Sequence, residues 1–111
     1  MEGMIFVKYQ FKDNYNNTRY EVNSDEELYF EKLYSKLTDW ENKCITLHRM
    51  SSGAIEPYFG TYPLGKVNLQ GKEHSMQVLK SLYRCDVIEG NVEDFIKRID
   101  DVIRYIRKYC K

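Results

Sequence analysis

A length of 111 residues suits one domain, large enough to bury a core without disulfide or metal staples. A hydrophobic fraction of 42% with 14% aromatic residues argues against a disordered chain, and no apolar run approaches the ~20 residues that cross a bilayer. The 17 basic residues equal the 17 acidic ones, which is not the strongly basic make-up of a dedicated nucleic-acid-binding domain.

Residues 4–11 alternate, with Ile5, Val7, Tyr9 and Phe11 on one face of a strand and Lys8 and Gln10 on the other. The polar turn over 13–17 leads to a second strand at 18–22, so an N-terminal hairpin is expected. Ser24-Asp25-Glu26-Glu27 has the form of a capping box. It predicts a helix running to about Trp40, with Phe30, Leu33, Leu37 and Trp40 as its apolar stripe. Strands are predicted over 43–50 and 54–59, joined by the turn Ser51-Ser52-Gly53; Pro57 lacks a donor and marks the second as an edge or a bulge.

After a loop over 60–65, Val67 and Leu69 predict a short strand at 66–70. Met76, Leu79, Leu82 and Tyr83 share a helical face and predict a helix from about 75 to 83. Residues 85–88 read as an extended link or strand. Asn91 caps a last helix whose stripe is Phe95, Ile96, Ile99, Val102, Ile103 and Ile106. Glu93 with Lys97, Asp94 with Arg98, and Asp100 with Arg104 are acid-before-base pairs four residues apart, the favoured order on a helix. The expected fold is α+β: a mainly antiparallel sheet of about five strands, the N-terminal hairpin included, with three helices and the C-terminal one packed on the sheet.

Motifs for chemistry are few. Residues 60–66 have the glycine spacing of a phosphate-binding loop. Val67 stands where a Ser or Thr would hold Mg²⁺, however, and Val67-Asn68-Leu69 alternates as a strand instead of opening a helix. Cys44 and His48 are four residues apart, about 13 Å on a strand, too far to share one ion. Cys44, Cys85 and Cys110 are an odd set, expected to be free thiols. No nucleophile, base and orienting group form a local signature, so neither metal nor cofactor is expected and the chain is not expected to be an enzyme. The first residues lack a basic region and a long apolar stretch, so a cytoplasmic location is expected.

Charge is unevenly spread. Asp25, Glu26, Glu27, Glu31, Asp39 and Glu41 dominate 24–42, whereas bases dominate 43–84. Positive groups neutralise phosphates and aromatic faces stack on bases. Arg49, Tyr58, Tyr62, Lys66, Lys72, His74, Lys80 and Arg84 are therefore the candidate partner- or phosphate-binding residues. The acidic alternative is Asp25, Glu26, Glu27 and Glu31, acting as a phosphate mimic, although the helix dipole already accounts for acids in a first turn.

Ala54 is the only alanine, and lysine exceeds arginine, a bias of AT-rich coding DNA such as that of low-GC bacteria and their phages. The function expected is that of a non-enzymatic, stoichiometric binding protein from a phage or mobile element. It would block a host protein or nucleoprotein complex as an anti-CRISPR inhibitor does. The alternatives are a nucleic-acid or nucleotide binder using 43–84, and a small enzyme. No membrane partner is expected.

Overall fold

Asn23, one residue before the expected cap, starts the first helix in the computed structural model, which describes residues 20–110. The strand expected over 4–11 lies outside the described residues, as does the start of its partner; residues 20–22 are not strand. They are tied down through side chains instead, with the Tyr20 hydroxyl donating to Ser51 O and Gln70 Nε2 donating to Glu21 O.

Helix α1 spans Ser24–Ser35. Its box is Asn23 with Glu26 rather than Ser24 with Glu27: the Glu26 N–H donates to Asn23 Oδ1 at 2.8 Å and the Asn23 N–H to Glu26 Oε1 at 3.2 Å. Asn caps as well as Ser, and the shift turns Glu26 inward, where a buried cation meets it. The helix also stops short of Trp40. Thr38-Asp39-Trp40-Glu41 is a second capping box, with the Glu41 N–H donating to Thr38 Oγ1, and it opens a separate short helix, α2, at Asp39–Lys43. Trp40 thereby leaves the expected stripe and is 64% exposed.

Strands β1 (Ile45–Arg49) and β2 (Ile55–Phe59) form an antiparallel hairpin with every second residue buried. Gly53 turns it at a φ of 101°, which favours glycine. Pro57 is not on a sheet edge. β3 (Tyr62–Pro63) pairs with β2 at Tyr58 and Phe59, and β4 (Val67–Asn68) pairs with it at Ile55. The Leu64 N–H donates to Pro57 O at 2.8 Å, so the backbone of Pro57 faces the gap between β3 and β4. Its missing donor falls where no ladder bond is required.

The expected helix over 75–83 is a strand. β5 (Ser75–Ser81) and β6 (Arg84–Glu89) make a hairpin, in register from Ser75 opposite Glu89 to Leu79 opposite Cys85, with an irregularity between Leu79 and Ser81. Met76 and Val78 are buried at a two-residue period, while Leu82 and Tyr83 sit exposed in the turn. The helical spacing of those four residues is coincidental, because cross-strand partners satisfy the backbone of 75–81 instead. Among the described residues the sheet therefore has six strands, in the order β1-β2-β4-β5-β6 with β3 on β2.

Asn91 caps the C-terminal helical region as expected, but a turn at Lys97 and Arg98 divides it into α3 (Val92–Ile96) and α4 (Ile99–Tyr109). The break lets α3 pack on α1 while α4 lies on β5. It also redirects the ion pairs: Arg98 and Arg104 both meet Asp101, at 2.8 and 2.9 Å, and Asp100 reaches Lys36 at 3.0 Å. Phe30, Leu33, Ile45, Leu47, Ile55, Val78, Phe95, Ile99 and Ile106 fill the core between the helices and one sheet face. Among the described residues no helix is long and apolar enough to cross a membrane.

Candidate partner interface

The basic residues of 43–84 do not form one surface. Arg49, on β1, is buried with Glu26 of α1; their side chains are 2% and 1% exposed. The guanidinium donates to Glu26 Oε2 at 2.7 Å, to Glu26 Oε1 at 3.1 Å and to Gly53 O at 2.8 Å. Gln70 Nε2 and the Asn23 N–H also donate to Glu26 Oε1. A buried carboxylate is tolerated when its lone pairs are saturated in this way. Arg49 thus leaves the cationic set and Glu26 the acidic set, since neither faces solvent. Asp25, Glu27 and Glu31 are half-buried on α1.

Tyr58 lies on the sheet face away from the core, its ring 4.3 Å from that of His48. Tyr62 pairs with Phe59, whose ring meets Trp40 edge-on at 6.0 Å. Lys66 is exposed just before β4, its N–H donating to Gln77 Oε1. Lys72 and His74 flank the β4–β5 connection, where they line an open groove of about 530 Å³ with Glu73 and Glu89. Acids and bases alternate there, which is a poor basin for phosphate. His74 Nε2 lies 2.9 Å from Gly71 O, a bond in which the ring N–H donates.

Lys80 and Arg84 occupy the far end of the β5–β6 hairpin, with Lys80 3.7 Å from Asp86. Between them Tyr83 is 93% exposed, and Leu82 is exposed as well. Beside this tip runs a cleft of about 90 Å³ lined by Leu79, Lys80, Asp101, Arg104, Tyr105, Lys108 and Tyr109. Tyr105 and Tyr109 pack with centroids 5.0 Å apart, and Lys108 Nζ stands 5.4 Å from the centroid of Tyr109. Burial works to raise the Asp101 carboxyl, but hydrogen bonds from Arg98 and Arg104 outweigh it and hold Asp101 below its usual range.

The corner thus joins Lys80 to Arg104 and Lys108, two cations that reading the basic segment alone missed, with Arg84 on the adjoining hairpin tip. Their signal was the spacing of 101, 104, 105 and 108, one flank of the final helix. Elsewhere, Glu41 accepts from Arg107 Nε and Nη2, each at 3.1 Å; that contact, foremost, and the Thr38 N–H hold its carboxyl down to about 2.

Cys44 is half-buried, Cys85 exposed and Cys110 buried, all as free thiols; burial pushes the Cys110 thiol up to about 11. Among the described residues no group of three or more His, Cys, Asp or Glu could hold a metal ion. No protein-family model, no curated protein and no solved structure matches this chain.

Proposed function

We propose that this domain is a non-catalytic binding protein that docks its partner through the corner formed by the β5–β6 turn and the second half of α4. The observation that carries this reading is Tyr83, 93% exposed beside Leu82 and between Lys80 and Arg84. A large ring held in water on a hairpin tip gains from being covered, and Tyr and Arg are the residues that anchor protein interfaces. Charges around such an anchor steer the encounter. Lys80, Arg84, Arg104 and Lys108 outnumber the Asp86 and Asp101 carboxylates that lie against Lys80 and Arg104, and the excess favours a negatively charged surface. The partner in this reading is a cytoplasmic host protein or nucleoprotein complex, blocked stoichiometrically in the manner of a phage-encoded anti-defence inhibitor; the AT-rich coding bias supports that origin.

A second reading takes single-stranded nucleic acid on the same corner. It is favoured by the exposed ring of Tyr83 between Lys80 and Arg84 and by the half-buried ring of Tyr109 beside Lys108, since bases stack on aromatic rings and phosphates seek positive charge.

The test is capture from a low-GC bacterial lysate by the tagged protein, by Tyr83→Ala/Arg84→Ala and by Lys72→Ala/His74→Ala. Loss of the captured species in the first variant alone supports the corner. Loss in the second alone overturns it in favour of the β4–β5 groove. Nuclease treatment separates protein from nucleic acid as the species captured.

A further inference from the structure

β6 ends the sheet, and among the described residues no strand pairs with its outer edge. Its backbone alternates in a definable way. Met76 faces Ile88, Val78 faces Asp86, and the Gly90 N–H donates to His74 O at 3.4 Å. In an antiparallel ladder the residues that bond inward alternate with those that bond outward. Asp86, Ile88 and Gly90 therefore turn their amides toward β5. Cys85, Val87 and Glu89 turn theirs to solvent. The opposite side of β5 agrees, since the Gln77 N–H points away from β6 to bond Lys66 O at 2.8 Å.

Edge strands are ordinarily protected by a central lysine, a proline or a bulge. The centre of this one is Val87, 62% exposed. Charge along the strand is polarised. It begins at Arg84, carries Asp86 next to Val87 with Lys80 3.7 Å away as its counter-ion, and ends at Glu89, after which come Glu93 and Asp94 on α3. All are exposed, so the acids gather at one end and the net positive charge at the other.

We propose that β6 is the seam of a homodimer, in which two copies pair antiparallel, edge to edge, with Val87 opposite Val87 of the second copy. This register places Cys85 opposite Glu89 and uses every outward-facing amide of both strands. Each of those pairs exchanges both N–H···O bonds. The antiparallel direction sets the basic end of each strand beside the acidic end of the other; a parallel one would set like against like. That polarity selects a second copy as the occupant. The seam is independent of the Tyr83 corner. Antiparallel pairing leaves the Tyr83 tips at opposite ends of the joined sheet, each free to bind.

The test is sedimentation equilibrium of the wild type and of Val87→Pro. The Val87 N–H points away from β5, so proline should leave the hairpin ladder whole while removing the central donor. The expected result is a dimer that weakens as salt rises, with at least about a tenfold higher Kd in Val87→Pro, the equivalent of one hydrogen-bonded pair. Val87→Lys, which keeps its N–H and adds a like charge at the axis, should weaken the dimer as well and serves if proline impairs folding. A wild type that stays monomeric up to millimolar concentration overturns the proposal, as does a dimer whose Kd is unchanged in both variants.

Discussion

The junction of α1 with β1 and the tip of the β5–β6 hairpin both place a basic side chain close to a carboxylate, and the two sites treat charge in opposite ways. At the first, Arg49 and Glu26 are sealed from water, and Gly53 O, Gln70 Nε2 and the Asn23 N–H complete their hydrogen bonds. At the second, Lys80 stands 3.7 Å from Asp86 in open solvent, beside a tyrosine that is almost wholly exposed. A cation counted in a sequence is therefore available to a partner only if the fold has not already used it. A buried pair gains little over an apolar one but is costly to break. An exposed pair contributes little either way.

The contrast is most exposed to refutation at Arg49. Arg49→Met should destabilise the fold by about 3–5 kcal/mol, because it leaves the Glu26 carboxylate buried without its cation. Adding Glu26→Leu should recover a large part of that loss. Urea unfolding of the single and double variants measures both, and an unaltered midpoint in Arg49→Met would show the pair to be solvated.

An intermediate case is Glu41 with Arg107, which joins α2 to α4 at the surface. The Glu41 carboxyl lies at about 2, below its ordinary value of 4.5. A lowered folded-state value means stability that is complete above the ordinary value and is lost as pH falls toward the folded one. The thermal midpoint should therefore decline between about pH 4.5 and 2, and Arg107→Gln should flatten that decline relative to the wild type.

The smallest effect is expected at the hairpin tip. Tyr83→Ala and Arg84→Ala should each change stability by no more than about 0.5 kcal/mol, since exposed residues away from special backbone positions are nearly neutral. A larger loss in urea unfolding would mean that the tip is part of the fold, and the contrast with Arg49 would collapse.

Much of the local structure was legible because its signals are local. The β1–β2 hairpin shows in its alternation, the last helical region in its stripe, and Asn91 in its cap. Thr38 with Glu41 carries the same kind of capping signal, but the apolar spacing that runs on to Trp40 masks it, and the helix is expected to continue through it. The helical reading of 75–83 failed because Met76, Leu79, Leu82 and Tyr83 fit a helix while Met76 and Val78 fit a strand. Only the presence of β6 alongside decides between those periods.

The α+β class, the turn of the β1–β2 hairpin, the Asn91 cap and the identity of most aliphatic residues that fill the core follow from the chain's own pattern. Periodicity and capping act over a few residues, and burial of apolar surface follows from them. Which charges are spent depended on tertiary packing. Glu26 and Arg49 are 23 residues apart in the chain, Glu41 and Arg107 are 66 apart, and nothing in either neighbourhood marks them as partners. The same is true of Lys80 standing beside Arg104 and Lys108, because only the packing of α4 on β5 brings those segments to one corner.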